Sequence, residues 1–466
     1  WGNPGSFLAL AASYGEECSG RTGYGERMSF RRKFKKQLRK VLPAKGRAGK
    51  DLSPGGGSRL RETPLEPGAP LKDKELPRAA IVILNYNGCH HLAGCFGSLA
   101  ELDYPKGKLE VILIDNGSSD DSVATMKSDH SWVRTIVNEK NMGFSAGCNQ
   151  GAKAASKAEV LVFLNNDMRV REDWLRELVG PVVRGECAAS TAKMYSWDGK
   201  VLNSTGGGMN FHGIGIQKGY LQKPTEADDL PARTLFACGG AMAIEADVFH
   251  DVGGFDEHFF AYYEDVDLGW RLWVMGYEIH YQPRAVCWHH HSSTSRTFPM
   301  ETIRLLQVRN PFFACFKNYD DETLRKVLPA QLALAMRRTL MVAGIDDDSS
   351  FRIEKVEAGG AGVVGRLWDK ARRSVVEDYP VRREAVADMV GIGDLLGNWD
   401  FWMSRREAIQ ARRKRSDEEI FQLFSRPLWC IEEDAAYREL HEGTVRFFGL
   451  DKVFHGLTFD DEKLNK

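Results

Sequence analysis

Residues 79–122 read AAIVILNYNGCHHLAGCFGSLAELDYPKGKLEVILIDNGSSDDS, in which two aliphatic runs flank a segment with helical spacing. Short aliphatic runs bounded by turn residues are typical of buried strands. The same pattern continues in WVRTIVN (132–138) and EVLVFLNND (159–167). The spacing predicts helices between these strands, near residues 91–102, 120–128 and 145–155. This alternation predicts an α/β fold with a mostly parallel, Rossmann-like sheet and right-handed crossovers.

Length and composition exclude several classes of protein. The 466 residues suffice for two or three domains. The 63 Lys and Arg balance 64 Asp and Glu, so no overall charge favours nucleic acid as a partner. The longest aliphatic run, 79–84, is far shorter than the ~20 apolar residues of a membrane-spanning helix. The nine cysteines are scattered without a CxxC pair, which favours a reducing, cytoplasmic setting.

Three regions are predicted. Residues 1–78 form a basic, largely disordered leader and linker, residues 79–300 carry the α/β pattern, and residues 301–466 form a helical C-terminal region. Within the leader, residues 28–50 contain ten Lys or Arg and no acid. This segment is either an amphipathic helix on an anionic membrane surface, at the inner face of the membrane, or a solvated basic arm.

Polar side chains follow the predicted strands, where ligands of parallel sheets bind. They are Asn85, Asn87, Asp115, Asn116, Asn165, Asn166 and Asp167. Asp115 can accept hydrogen bonds from a nucleobase or a ribose, or it can cap the turn DNGSSDDS. Asp167 suits a hard cation such as Mg²⁺ or Mn²⁺, or it can cap the following helix.

Two further segments carry candidate residues. In NMGFSAGCNQG (141–151) the small residues allow either an anion at the helix start or close helix packing. In GGFDEHFFAYYEDVDLGWRL (253–272) the acids are either helix-dipole caps or a partly desolvated general base.

The run VCWHHHSSTS (286–295) places three histidines at the end of a strand-like segment. One of them could complete a metal site with Asp167, and the others could contact phosphate or acceptor. Neighbouring strand residues point to opposite faces, which disfavours a zinc site built from all three.

With these motifs in this order, residues 79–309 resemble family 2 glycosyltransferases, which are inverting enzymes with the GT-A nucleotide-diphosphosugar fold, and in particular their rhamnosyltransferase-like branch. The resemblance implies a nucleotide-diphosphate sugar as donor, either dTDP-rhamnose or a UDP-sugar. It also implies a divalent cation, Mg²⁺ or Mn²⁺, and a hydroxyl of a glycan or lipid-linked acceptor. Cell-wall or polysaccharide synthesis is the expected setting.

The resemblance also implies roles for individual residues. Asp265 of the Glu264-Asp265 pair matches the catalytic base, and Asp167 with His289 matches the metal site, although Asn165 replaces the first acid of the DxD motif. Gly239, Gly240 and Asp267 are expected at the acceptor, and Arg309 and Asn310 near it. The expected contacts of the nucleotide sugar are Asn85, Asn87, Asp115, Asn116, Asn141, Gly143, Asn165 and Asn166.

Three alternatives remain open at this point. The first is a catalytically inactive sugar-nucleotide or glycan-binding module of the same fold, because fold does not fix function. The second is a nucleotidyltransferase, which would carry a basic, Gly-rich loop after the first strand, where this chain has NYNGCHH. The third is a glycoside hydrolase with paired carboxylates, which would need no nucleotide pocket at the strand ends.

Overall fold

The computed structural model describes residues 65–290, 299–345 and 383–454. No helix in these three ranges is long and apolar enough to cross a membrane. The basic segment 28–50 of the leader lies outside the described residues, so the membrane interpretation stays a prediction. The predicted domain boundaries at 78 and 300 also stay predictions.

The first four strands form the parallel part of the sheet, in the order β3-β2-β1-β4. They are β1 (Ala79–Asn85), β2 (Leu109–Asp115), β3 (Arg134–Val137) and β4 (Val160–Asn165). The helices between them are α1 (Cys89–Ala100), α2 (Ser122–Asp129) and α3 (Phe144–Ala154). The register pairs Asn85 with Asp115 and Leu84 with Asn165, so the polar strand ends meet at one edge.

Close packing between α3 and the sheet explains the small residues of the 141–151 segment. A Cβ atom at Gly147 would overlap Leu84 of β1, and one at Gly151 would overlap Val82. Glycine at these positions therefore lets the helix lie close against β1.

The second part of the sheet is mixed, and it brings the total to ten strands. Strand β11 (Ala241–Glu245) runs antiparallel between β4 and β6 (Ala189–Ser196), whereas β12 (Ile279–His289) is parallel to β6. The expectation of a mostly parallel sheet therefore holds for the first four strands and the β6-β12 pair. It is wrong for β11 and for the short strands β5 (Met168–Val170), β7 (Leu202–Ser204) and β10 (Ala232–Arg233), which pair antiparallel. The short loop between β6 and β7 can only make a hairpin, because parallel neighbours need a crossover of a dozen or more residues.

The remaining strands extend this mixed part and add a small separate hairpin, β8-β9. Their bounds are β5 (Met168–Val170), β6 (Ala189–Ser196), β7 (Leu202–Ser204), β8 (Gly207–Met209), β9 (Gly215–Gln217), β10 (Ala232–Arg233), β11 (Ala241–Glu245) and β12 (Ile279–His289). The helices within this part are α4 (Trp174–Val183), α5 (Ala246–Asp251) and α6 (Glu264–Val274).

Helices follow the sheet, as the sequence predicts. They are α7 (Met300–Asn318), α8 (Asp321–Ala343), α9 (Ala387–Gly397), α10 (Trp399–Gln410), α11 (Asp417–Phe421), α12 (Ala435–Phe447) and α13 (Leu450–Val453). A buried ion pair joins them to the α/β part, because Nζ of Lys317 in α7 lies 2.6 Å from Asp256 and 2.9 Å from Asp267. These helices therefore pack directly on the elements that form the site.

Candidate active site

A cavity of about 410 Å³ lies at the carboxyl ends of β1 and β4. The end of β12 and the start of α6 complete its wall. The sequence-predicted residues that line it are Asn116, Asn141, Gly143, Asn165, Asn166, Asp167, Gly239, Gly240, Glu264, Asp265 and His289. Residues that are far apart in the chain therefore converge on one crevice.

Asn85 and Asp115 lie at the same strand ends but do not line the cavity. Nδ2 of Asn85 donates to Oδ1 of Asp115 at 3.0 Å, and Oδ1 of Asn85 accepts from Nδ2 of Asn166 at 2.7 Å. The other carboxylate oxygen of Asp115 accepts the amide of Ser118 at 3.0 Å. Both side chains are fully buried, so they fix the ends of β1 and β2 beneath the cavity.

Asn87 is also outside the cavity wall. Its backbone is left-handed, with φ of 51°, and its Oδ1 accepts the amide of Ser119 at 2.7 Å. The side chain therefore ties the loop after β1 to the loop after β2, and its expected contact with the nucleotide sugar stays a prediction.

The side chain of Asn116 organises the loop that precedes α3. Its Nδ2 donates to Oδ1 of Asn141 at 2.8 Å and to the carbonyl of Gly143 at 3.1 Å. Gly143 has φ of 87°, and a Cβ atom there would overlap Phe260. The carbonyl of Phe260 accepts the amide of Phe144 at 2.6 Å, so the start of α3 already has a protein acceptor. An anion at this helix start, one of the two interpretations of the segment, is therefore not supported.

Asp167 and His289 meet on the cavity wall. Nε2 of His289 lies 3.2 Å from Oδ1 of Asp167, and Nδ1 lies 3.0 Å from Oδ1 of Asn203 in β7. Because an amide oxygen only accepts, Nδ1 donates to Asn203, and Nε2 is the ring nitrogen that faces the carboxylate of Asp167. A carboxylate and an imidazole nitrogen placed together in this way could hold a divalent cation.

Within the residues that the structure describes, no group of three or more His, Cys, Asp and Glu side chains could hold a metal ion. A site enclosed by protein ligands alone is therefore not formed by that part of the chain. The neighbouring His290 stacks on Trp197, with ring centroids 3.7 Å apart, and its backbone amide donates to the carbonyl of Asp167.

Glu264 and Asp265 open α6 and face the cavity with different surroundings. Oδ2 of Asp265 accepts the amide of Gly239 at 3.0 Å, and Oδ1 accepts that of Val266 at 2.8 Å. Burial raises the pKa of Asp265, although these two hydrogen bonds oppose the shift. Burial, and then the charge of Asp265, raise the pKa of Glu264 well above its usual range.

The loop before α6 is strained and is held by the C-terminal helices. Phe260, Tyr262 and Tyr263 have φ of 62°, 68° and 66°, a region that L-residues rarely adopt. Nδ2 of Asn310 in α7 lies 2.9 Å from each of the carbonyls of Phe259, Ala261 and Tyr262. Asn310 is fully buried, so it cannot contact the acceptor as the sequence suggested. Its role is to hold this loop in place.

Arg309 has a similar role. Its guanidinium donates to the carbonyl of His258 at 2.8 Å and lies 3.6 Å from Asp394 of α9. It is not part of the cavity wall. It therefore supports the same loop from the side of the C-terminal helices.

Asp267 was expected at the acceptor, and the structure contradicts this. Its carboxylate is fully buried and contacts Nε of Arg271 at 2.9 Å, Nζ of Lys317 at 2.9 Å and Nδ2 of Asn318 at 2.9 Å. Residues two apart on a helix point to different sides, so Asp267 faces the core when Asp265 faces the cavity. Asp267 is therefore a structural residue.

The sequence analysis missed several residues of the cavity wall. They are Tyr86, Gln217, Phe236, Cys238, Phe260, Tyr262 and Gln307. Gln217 belongs to the β8-β9 hairpin and Gln307 to α7, and neither stands in a recognisable motif. Tyr262 lies within segment 253–272, of which the sequence analysis considered only the acids.

Comparison with known proteins gives matches over the α/β part. Residues 80–253 match the family model "Glycosyl transferase family 2". The chain is 30% identical over 208 residues to the O-antigen biosynthesis protein RfbC of Myxococcus xanthus, covering 42% of this chain and 16% of that protein. It is 29% identical over 194 residues to the pre-mycofactocin glycosyltransferase of Mycobacterium tuberculosis, covering 40% and 39%. The chain thus spans well under half the length of these relatives.

Among solved structures, the chain is similar to GalNAc-T7 in a crystal structure with UDP, GalNAc and Mn²⁺. The identity is 19%, the TM-score is 0.44, and the match covers 56% of this chain and 52% of that one.

Proposed function

Residues 80–253 belong to glycosyltransferase family 2, as the motifs predict, and on this basis we propose that the protein transfers a sugar from a nucleotide diphosphate to a hydroxyl group of a glycan or lipid-linked acceptor. The family match and the α/β topology with C-terminal helices confirm the expected GT-A fold class. The observation that carries the proposal is the convergence of Asp167, His289 and Asp265 on one cavity.

Asp265 acts as the general base in this proposal. An acceptor hydroxyl has a pKa far above 7, so it attacks well only if a carboxylate removes its proton as the new bond forms. The amides of Gly239 and Val266 fix both oxygens of Asp265 at the cavity wall. A single displacement opposite the leaving nucleotide inverts the anomeric centre, and no covalent nucleophile is required.

Asp167 and His289 would hold the divalent cation, Mg²⁺ or Mn²⁺. The position of Nε2, 3.2 Å from a carboxylate oxygen of Asp167 on the cavity wall, supports this assignment. When bound, such an ion neutralises the negative charge that develops on a departing diphosphate. The hydrogen bond from His289 to Asn203 keeps the ring in the orientation and tautomer that this requires.

Aromatic and amide side chains on the wall suit a sugar. Tyr262 offers an apolar face, and Gln217 and Gln307 offer hydrogen-bonding groups, which is the lining expected for a small polar ligand. The relative RfbC is named for O-antigen biosynthesis, which supports a polysaccharide acceptor and the setting of polysaccharide or cell-wall synthesis. The rhamnosyltransferase-like branch and the dTDP-rhamnose or UDP-sugar donor stay predictions.

A peripheral position on an anionic membrane surface is part of the proposal, and it rests on the basic residues of segment 28–50. Deletion of residues 28–50 should reduce co-sedimentation of the protein with vesicles that contain anionic lipid. Unchanged co-sedimentation would favour a solvated arm.

A panel of nucleotide sugars identifies the donor and tests the function. A donor present at 100 times its dissociation constant should stabilise the protein by about 2.7 kcal/mol in thermal unfolding. The stabilising donor is then incubated with oligosaccharide and lipid-linked acceptors, and NMR reports the anomeric configuration of the product. Binding without transfer to any acceptor would favour the alternative of an inactive sugar-nucleotide or glycan-binding module.

A further inference from the structure

We propose that Glu264 remains protonated and donates a hydrogen bond to the acceptor sugar whose hydroxyl group Asp265 deprotonates. The inference rests on the proposed function, and it assigns the two neighbouring acids different tasks. Asp265 removes a proton, whereas Glu264 keeps its own proton throughout and orients the sugar.

The position of Glu264 is unusual for a carboxyl group. Its side chain lines the cavity, yet the residue is only 7% exposed. Among the described residues its Oε2 has no hydrogen-bond partner. Buried polar atoms nearly always have a partner, because an unpaired one costs about 1–3 kcal/mol. A ligand in the cavity is the partner that this position offers.

The hydrogen bonds around the pair decide which acid carries the charge. Burial and the charge of Asp265 raise the pKa of Glu264, so the two adjacent carboxyl groups resist double ionisation and share a single negative charge over a wide pH range. Asp265 accepts amides from Gly239 and Val266, whereas Glu264 is stabilised only by its own amide. The charge therefore resides on Asp265 and the proton on Glu264.

The groups around Glu264 do not offset this asymmetry. Cys148 of α3 and Cys238 of the loop before β11 lie near Glu264, and burial raises the pKa of both thiols, so both are uncharged at neutral pH. Burial raises the pKa of the adjacent Tyr263, although the charges of Arg338 and Arg304 oppose the shift. Among the described residues, no cation lowers the pKa of Glu264.

A protonated carboxyl group supplies what a sugar-binding wall needs. Its O–H donates to a hydroxyl oxygen of the sugar, which an ionised carboxylate cannot do. The neutral group also adds no second negative charge beside the base. One sugar hydroxyl accepts from Glu264 while its neighbour donates to Asp265, so the pair fixes the orientation of the acceptor.

Two substitutions separate a neutral donor from an ionised acid. In E264Q the amide is neutral and still donates, whereas in E264A the donor is lost. We expect E264Q to have kcat/KM at least about tenfold above that of E264A, as one buried hydrogen bond is worth about an order of magnitude. The acceptor KM of the wild type should rise as increasing pH ionises Glu264, and that rise should be absent in E264Q. The exposed Glu439→Gln variant controls for the amide substitution.

Two kinetic outcomes overturn the proposal. If E264Q is as impaired as E264A, Glu264 must ionise to act. If both variants match the wild type, Glu264 does not contact the sugar.

A spectroscopic measurement is independent of turnover and of folding defects in the alanine variant. The infrared difference spectrum between wild type and E264Q at neutral pH should contain the C=O band of a carboxylic acid, and its absence refutes the protonation. If no sugar is transferred by any form of the protein while this band is present, the proposed function fails and the protonation of Glu264 stands.

Discussion

The backbone amide of Gly239 donates to Oδ2 of Asp265 over 3.0 Å. Gly239 lies inside the region that matches the family model, and Asp265 lies after it, on α6. The hydrogen bond therefore joins the part of the chain that matches the family model to the helix that carries the proposed base. It also stabilises the ionised form of Asp265, which is the form that accepts a proton.

Replacing the base should abolish transfer without removing the donor site. We expect Asp265→Asn to lower kcat by about 10²–10⁴-fold, the usual contribution of a general base. The affinity for the donor nucleotide, measured by calorimetry, should change by only a few fold. Asp129→Asn, on the exposed end of α2, is the matched control. Undiminished turnover in the Asp265 variant would show that another group removes the proton.

The contact between Asn203 and His289 should govern metal affinity. Partners that orient a metal-binding histidine typically contribute 10–100-fold to affinity, so Asn203→Ala should weaken Mn²⁺ binding by about that factor. Electron paramagnetic resonance of free Mn²⁺ measures this without reference to activity. Asn398→Ala, in the C-terminal helices, should bind Mn²⁺ like the wild type.

In parallel, EDTA should suppress transfer and Mg²⁺ or Mn²⁺ should restore it, and full turnover in the chelator would contradict the metal assignment.

Asp267 should contribute to the stability of the folded protein and not to binding of the acceptor. Its removal leaves the buried cations Arg271 and Lys317 with fewer counter-charges, and breaking such a buried pair typically costs about 3–5 kcal/mol. Asp267→Asn should therefore lower the free energy of unfolding in urea by that order, without altering the acceptor KM of the folded fraction. A raised KM in a variant of normal stability would restore the acceptor role that the sequence suggested.

Asn310 should hold the base through the loop. The three left-handed residues each cost about 1–3 kcal/mol, and the side chain of Asn310 bonds the carbonyls of that loop. In Asn310→Ala we expect kcat to fall about tenfold or more, because small misplacements of a catalytic group are costly. Donor affinity should stay unchanged, since Asn310 does not line the cavity. Asn398→Ala serves again as the control, and equal kcat values in the two variants would refute the positioning role.

The raised pKa of Glu264 should also appear in the pH dependence of stability. Between its unfolded and its folded pKa, the folded state binds more protons than the unfolded state, so stability falls as pH rises. The contribution of Glu264 is complete below the unfolded pKa and is lost as pH rises through the folded one. E264Q lacks this loss, so its Tm should exceed that of the wild type by a margin that grows with pH. A constant Tm difference from acid to alkaline pH would show that the pKa is not raised.

The periodicity of the chain predicts β1 to β4, their connecting helices and the polar strand ends, because burial imposes a pattern that can be recognised locally. It also predicts which side of the sheet holds the site, since parallel strands end at one edge. The antiparallel insertion of β11 was not predictable in this way, because a short strand carries no signal for the direction of its neighbours.

The amino-acid sequence by itself determined the elements and candidate residues of this protein. They are a buried α/β sheet, acids and a histidine at strand and helix ends, and the motifs of a family. Only the tertiary structure decided which of these groups face the cavity. Asp265 and Asp267 are two residues apart on the helix and therefore point to different sides of it. Asp265 lines the cavity, whereas Asp267 pairs with Lys317. Asn310 reaches the loop before α6 from a different helix, and contacts between distant segments arise from packing, which no local pattern encodes.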